Sequence, residues 1–272
     1  MSLLEIIGFA GAAVIGISLG LIGGGGSILT VPVLVYLLSV EPVLATAYSL
    51  FIVGISSLIG GINYARKGLV DFKTGIVFTI PAFIAVYVTR LWLVPALPDN
   101  WFNIGDLAVT KDVGILLLFA FLMIFASYSM IKGKKKPEIE EDKNEEVQPH
   151  FNIPMIILEG SVVGVLTGLV GAGGGFLIIP ALVLFAKLPM KMAVGTSLLI
   201  IAAKSLIGFI GDIQADQPID WTFLLIFSSI SVIGIFVGSY LSTFIEGAKL
   251  KKGFGWFVLV MGSFMIVKEL FF

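Results

Sequence analysis

A succession of apolar segments, each about the length of a bilayer-spanning helix, constrains this chain more than any other feature. They run near Leu3–Leu38, Leu44–Tyr64, Thr74–Val94, Val113–Ile131, Ile153–Ala186, Met192–Gly211, Trp221–Phe244 and Gly253–Leu270. Such segments fold as helices because unpaired backbone groups are costly in lipid. Of the 272 residues, 58% are hydrophobic and 13% are charged, which is more apolar surface than a soluble fold of this length can bury. The sequence therefore predicts an all-α polytopic membrane protein.

Two of the apolar segments are interrupted by glycine runs, Gly23–Gly26 and Gly171–Gly175, which belong to an internal repeat. When the two runs are aligned, Pro32 falls on Pro180 without a gap, and several glycines and serines coincide in the same register. Shared apolar composition does not align Gly, Pro and Ser in this way, so we infer a duplication. The predicted organisation is a first transmembrane repeat at 1–131, a charged cytoplasmic linker at 132–150 and a second transmembrane repeat at 151–272.

The charges of the loops indicate that the two repeats are inverted. Lysine and arginine favour the cytoplasmic side; the loop at 65–73 is basic, whereas its counterpart at 212–220 has three aspartates and no basic residue. Each broken segment would return to the side it entered as a helical hairpin, and three full crossings would follow. That odd number of crossings inverts the second repeat. The alternative treats each broken segment as one crossing and gives parallel repeats.

Glycine runs that interrupt membrane helices predict sites for an anion. Glycine adopts backbone angles closed to other residues, and a helix that restarts after it exposes N–H groups with partial positive charge. Two such restarts, near Gly26–Ile28 and Gly174–Phe176, would face each other if the repeats are inverted. The alternative is that the glycines only allow helices to pack closely.

Lys204 is the most informative single charge, because it lies about two-thirds of the way along an apolar segment. A basic group at that depth costs roughly 2.5–3.5 kcal/mol on insertion scales. Its repeat counterpart is Ser56, so the duplication does not require a charge there. We interpret Lys204 as a counter-charge for an anionic substrate or as a proton-linked group; the alternative is a structural ion pair with Glu159. With nearby glycines and hydroxyls, the predicted substrate-binding residues are Gly25, Gly26, Ser27, Ser49, Gly173, Gly174, Gly175, Thr196, Ser197 and Lys204.

Several kinds of site are absent from the sequence. It has no cysteine and one histidine, His150, which excludes thiolate and multi-histidine metal sites. It has no ATP-binding glycine loop, metal motif or nucleophile–base pair, so we expect no enzyme activity and no cofactor. A net charge of −1 gives no reason to expect nucleic acid as a partner. Three basic residues, Arg66, Arg90 and Lys191, lie at predicted membrane edges, where we expect them to set the topology.

The paired motif resembles that of the TauE/SafE sulfite exporter-like membrane permeases. The resemblance rests on Gly20–Gly26 with Pro32, on Gly168–Gly175 with Pro180, and on Ala193–Leu198. It covers essentially the whole chain, including the duplication and the polar central linker. The resemblance implies movement of small sulfur-containing anions, such as sulfite, sulfonates or sulfoacetate, across a prokaryotic cytoplasmic membrane.

Inverted repeats with interrupted helices are a recurring design of secondary transporters, which rock one half against the other to alternate access. We therefore expect a multi-pass anion transporter whose partners are its substrate, the bilayer and a coupling ion, either a proton or sodium; a homo-oligomer is also compatible with the sequence. Two other functions stay open: a passive anion channel, and a membrane scaffold that packs against another chain. The first repeat has Tyr48 where the second has Thr196, which leaves the symmetry of any polar site open.

Overall fold

In a computed structural model of the protein, long helices account for most of the chain. The structure describes residues 3–104, 107–132, 153–171, 173–175, 178–179, 182, 186, 188–241, 244 and 247–271. The helices are α1 (Leu3–Ile22), α2 (Pro42–Arg66), α3 (Phe72–Val88), α4 (Lys111–Ile131), α5 (Ile153–Val170), α6 (Met190–Gln214), α7 (Trp221–Leu241) and α8 (Gly247–Phe271). The predicted linker, apart from Lys132, lies outside the described residues, as do Ala172, Phe176 and Pro180 of the second glycine motif.

Several helices are long and apolar enough to cross a membrane. Within the described residues there are five: Pro42–Arg66, Phe72–Ala96, Lys111–Tyr128, Lys191–Gln214 and Trp221–Leu241. Their outward surfaces carry large apolar side chains; Trp92, Phe121 and Phe125 are 66%, 60% and 66% exposed. So much exposed apolar surface fits contact with lipid rather than water. The prediction of an all-α polytopic membrane protein is confirmed.

The first glycine break turns the chain back along α1. Three short helical turns begin at the break: a 3-10 helix, an α-turn and a π-turn, at Gly23–Leu29, Thr30–Pro32 and Val33–Leu37. Val33 packs against Gly11 and Leu38 packs against Gly8, so the returning segment runs antiparallel to α1. This is the hairpin that the sequence predicts for the first repeat.

A short sheet lies where the sequence predicts only a loop, between Pro95 and Thr110. Strand β1 (Asn100–Ile104) pairs antiparallel with β2 (Leu107–Thr110). Strands this short escape a hydropathy window scaled to membrane helices. The hairpin leads directly into α4, whose first turn is capped by the Thr110 hydroxyl accepting from the Val113 N–H.

The helices pack in a pattern that is unchanged when the two halves of the chain are exchanged. Helix α1 packs against α7, and its counterpart α5 packs against α3; α2 pairs with α6, and α4 pairs with α8. Glycines set the closest of these contacts: a β-carbon at Gly20 would lie 2.3 Å from the Ile235 carbonyl oxygen, and one at Gly164 would lie 2.5 Å from that of Ala82. Small residues let backbones approach in this way inside membranes.

The central pair, α2 and α6, runs antiparallel. Gly54 lies against Leu206, whereas Gly61, seven residues later in α2, lies against Leu199, seven residues earlier in α6. These two helices are counterparts in the two halves of the sequence, and they flank both glycine breaks.

Candidate functional site

The two glycine breaks touch each other at the centre of the helix bundle. A β-carbon at Gly175 would lie 2.2 Å from Gly24 Cα, and one at Gly173 would lie 3.2 Å from Ser27 Cβ. Gly173 and Gly174 have φ of 64° and 66°, which L side chains rarely adopt. The backbone of each break is therefore bare where it meets the other.

Helices α2 and α6 supply the walls on either side of the two breaks. From α2, Val53 lies against Gly173, and from α6, Ile201 lies against Gly24. Val53 and Ile201 are repeat counterparts, so equivalent positions of α2 and α6 each contact one of the two breaks. The two breaks and the two helices beside them therefore come from both halves of the chain.

Lys204 reaches this centre. Its side chain is 0% exposed, and Nζ donates a 2.8 Å hydrogen bond to Thr167 Oγ1. Thr167 in turn donates to the Val163 carbonyl at 2.7 Å. A β-carbon at Gly174 would lie 2.9 Å from Nζ, which places the amine directly beside the second glycine break.

The alternative partner of Lys204, Glu159, lies elsewhere on α5. Glu159 is eight residues, about 12 Å of helix, before Thr167. Among the described residues, Lys204 makes its polar contact with Thr167 and forms no ion pair with Glu159. Among the described residues, the Lys204 amine is thus buried without a carboxylate beside it.

The predicted hydroxyls are spread along the first break and the two central helices. Ser27 donates to the Gly24 carbonyl at 2.7 Å, and Ser197 donates to the Val194 carbonyl at 2.8 Å. Ser49 is fully buried with no hydrogen-bond partner among the described residues. It shares a face of α2 with Val53, four residues on, and so faces the second glycine break. Thr196 points away, towards the start of α3.

The remaining predicted glycines lie in the same region. Gly25 and Gly26 are part of the 3-10 helix Gly23–Leu29, which begins at the break instead of restarting as an α-helix at Gly26. Gly26 packs against the backbone of Leu19. In the second break, the Ile178 N–H donates to the Gly174 carbonyl at 3.0 Å, so a helical turn begins there.

Tyr48 and Thr196, the mismatched repeat counterparts, make equivalent bonds that sequence reasoning missed. The Asp220 N–H donates to Tyr48 Oη at 2.7 Å, and the Asp71 N–H donates to Thr196 Oγ1 at 2.9 Å. Asp71 and Asp220 cap the starts of α3 and α7, because each carboxylate accepts from an N–H three residues later. We call these two contacts the Tyr48 latch and the Thr196 latch.

Sequence reasoning also missed a buried ion pair. Arg90, expected at a membrane edge, is 0% exposed, and its Nη1 lies 3.3 Å from Oδ1 of Asp212, which is 2% exposed. The π-turn at Thr89–Leu93 places Arg90 inward, against α6. The only signal in the sequence was the pair of opposite charges near the ends of two apolar segments.

Comparison with known proteins places the chain in a family of membrane proteins. The family model for the sulfite exporter TauE/SafE matches residues 8–265. A probable membrane transporter protein of Xylella fastidiosa (strain 9a5c) is 30% identical over 97% of this chain and 95% of its own length. The probable membrane transporter protein YunE of Bacillus subtilis is 30% identical over 75% of this chain and 76% of its own length. No solved structure matches the chain. The spanning helices, the glycine breaks and these relatives agree: the chain is a membrane transporter, not an enzyme, and belongs to the sulfite exporter TauE/SafE family.

Proposed function

We propose that the protein is a secondary transporter that moves small sulfur-containing anions, such as sulfite, sulfonates or sulfoacetate, across a prokaryotic cytoplasmic membrane by alternating access. The observation that carries the proposal is the buried amine of Lys204 beside the second glycine break. The family's description as sulfite exporters supports the choice of a sulfur oxyanion.

The balance of buried charge favours an anionic substrate. In the described part of the chain, the buried charged side chains are Arg90, Lys204 and Asp212. Arg90 and Asp212 pair with each other, so Lys204, when protonated, has no counter-charge among the described residues. Burying an unpaired charge is expensive, and a bound anion would offset that cost.

The groups around Lys204 suit several oxygens on one small anion. Ser49 contributes a hydroxyl that has no hydrogen-bond partner among the described residues, and the bare backbone at Gly173–Gly175 leaves room for a ligand to approach the chain closely. Such groups can hydrogen-bond to sulfite or sulfonate oxygens without adding charge. A site with one cation and neutral donors binds an anion while still allowing its release.

Helix directions support an inverted arrangement of the repeats. The repeat counterparts α2 and α6 run antiparallel, and the helix packing is unchanged when the halves are exchanged. A two-fold axis lying in the membrane plane relates elements in this way, and transporters with such repeats alternate access about a central site.

The two latches lie at opposite ends of the central helix pair. Gly195, next to Thr196, packs against Tyr64, which is sixteen residues along α2 from Tyr48. That spacing corresponds to about 24 Å of helix. A cavity of about 450 Å³ borders the Tyr48 latch, and one of about 240 Å³ borders the Thr196 latch. Opening one latch while the other stays closed would expose the centre to one side at a time.

A thermal-shift panel on detergent-purified protein tests the substrate class. The ligands would be sulfite, sulfate, thiosulfate, taurine, sulfoacetate, acetate and chloride. A sulfur oxyanion at about 100 times its Kd adds roughly 2.7 kcal/mol to the stability of the folded state, so we expect a rise in Tm of roughly 5 °C or more. Equal responses to acetate and chloride, or none to any anion, would contradict the proposed substrate class and favour a channel or a scaffold.

Removing one latch should open the centre to one side only. The chain has no cysteine, so a single Ser49→Cys probe can be labelled with a membrane-impermeant thiol reagent without background. We expect Tyr48→Phe to speed labelling from the Asp220 side and Thr196→Val to speed it from the Asp71 side, because each variant loses one hydrogen bond at one end.

The matched control is Ser231→Ala, which removes the buried Ser56–Ser231 hydrogen bond between α2 and α7. This bond lies between the two ends of the central helix pair, so its loss should not speed labelling from one side more than from the other. Faster labelling from both sides in either latch variant would count against the latches as separate gates.

A further inference from the structure

The Arg90–Asp212 pair is a second buried charged group that the central site does not use. Its geometry is incomplete: one contact of 3.3 Å joins Arg90 Nη1 to Asp212 Oδ1, while Arg90 Nε, Arg90 Nη2 and Asp212 Oδ2 are buried without hydrogen-bond partners among the described residues. Arginine–carboxylate pairs commonly share two parallel bonds. A buried donor left without a partner costs about 1–3 kcal/mol, and more when it is charged.

The two unpartnered groups of Arg90 form one edge of the guanidinium. Nε and Nη2 carry N–H bonds that point the same way, and this planar fork matches two oxygens of a single oxyanion. Asp212 binds Nη1, so that edge has no hydrogen-bond partner among the described residues. The π-turn Thr89–Leu93 that carries Arg90 is the kind of helical irregularity often found at functional sites.

A line of contacts leads from Lys204 to the turn that carries Arg90. Lys204 bonds Thr167, the next residue, Gly168, packs against Thr89, and Thr89 precedes Arg90. A β-carbon at Gly168 would lie 2.8 Å from Thr89 Cβ, so these backbones are close.

The segment of α6 between Lys204 and Asp212 carries little side-chain volume on its face towards α3. Asp212 follows Lys204 by eight residues, about 12 Å along the helix. Two glycines lie between them against α3, Gly208 beside Val86 and Gly211 beside the β-carbon of Arg90. Lys204 thus lies at the centre, and Arg90 lies nearer the end of α6 that leads into the 212–220 loop.

We propose that Arg90 is a second anion-binding residue, which takes two oxygens of the transported oxyanion on its Nε–Nη2 edge between the central site and the 212–220 side of the membrane. Asp212 holds the guanidinium in position when no anion is bound. This inference rests on the proposed function and adds to it a requirement for two oxygens on one atom, as in sulfite and sulfonates.

The test measures uptake of radiolabelled sulfite into inside-out and right-side-out membrane vesicles, which gives a KM for entry from each side. The double variant Arg90→Gln/Asp212→Asn keeps a neutral hydrogen-bonding pair of similar volume. We expect its KM for entry from the 212–220 side to rise about tenfold, as for the loss of charged hydrogen bonds. Its KM for entry from the opposite side should stay at the wild-type value. Arg90→Lys keeps the charge without the planar edge and should raise the same KM by a smaller factor.

Tyr87→Phe is the matched control. Tyr87 hydrogen-bonds Gln214 across the same α3–α6 interface, so this variant weakens the interface without touching a charge. Wild-type KM values from both sides in the double variant, or equal rises from both sides, would show that the pair is structural and would overturn this inference alone. If the wild-type protein transports no sulfite, the proposed function is wrong, and this inference, which rests on it, is wrong as well.

Discussion

Replacing Lys204 by methionine should weaken sulfite binding by about 10- to 100-fold while the protein stays folded. Loss of a charged hydrogen bond costs about 1.5–3 kcal/mol of binding energy. Methionine matches the length of the lysine stem, and removing a buried unpaired charge relieves a desolvation penalty. Thr167 keeps its bond to the Val163 carbonyl, so its hydroxyl is not left unpaired. Titration calorimetry with sulfite measures the affinity, and thermal unfolding without ligand measures the stability. Lys204→Ala should weaken binding in the same way.

Glu159→Gln separates the two interpretations of Lys204. If the lysine serves the substrate, this variant should bind sulfite as the wild type does, because Glu159 makes no ion pair with Lys204. If the pair were structural, Lys204→Met and Glu159→Gln would each lower the unfolding temperature, and neither would change sulfite affinity. That pattern would remove Lys204 from the substrate site.

The helices could be predicted because hydropathy and backbone pairing act locally. The second apolar segment, predicted at Leu44–Tyr64, is the helix Pro42–Arg66, and its start is fixed by a proline at the first helical turn. The sheet formed by Asn100–Ile104 and Leu107–Thr110 could not be predicted in this way. It depends on pairing between two short strands, not on one long apolar window.

Which residues share the site could be predicted only in part, because position along a helix does not reveal which face meets which neighbour. Lys204 and the glycine breaks were both expected near the middle of the membrane, and in the structure they lie side by side. Thr196 was grouped with Ser197, but successive residues on a helix point about 100° apart, and Thr196 binds the Asp71 N–H instead. Arg90 was placed at an edge because its depth was judged from the end of an apolar segment, whereas the π-turn buries it.

A single methyl group at Gly175 should abolish transport and lower the stability of the folded protein. The β-carbon of Gly175→Ala would lie 2.2, 2.3 and 2.4 Å from the Cα, carbonyl carbon and carbonyl oxygen of Gly24. These are backbone atoms of the opposite break, so no side-chain rotation can relieve the clash. Gly175 does not have a positive φ, so we expect the effect to come from contact between the two breaks. Overpacking of this kind typically costs about 1–3 kcal/mol.

The matched control for Gly175→Ala is Gly253→Ala, at a helical glycine that has no atom within 4 Å of an added β-carbon. Alanine in a helix is favoured over glycine by about 0.5–1 kcal/mol, so this variant should keep or raise the unfolding temperature and keep full sulfite uptake. Thermal unfolding and vesicle uptake, measured side by side, compare the two. If Gly175→Ala behaved like Gly253→Ala, the two glycine breaks would not meet in the working protein, and a shared central site built from both repeats could not stand.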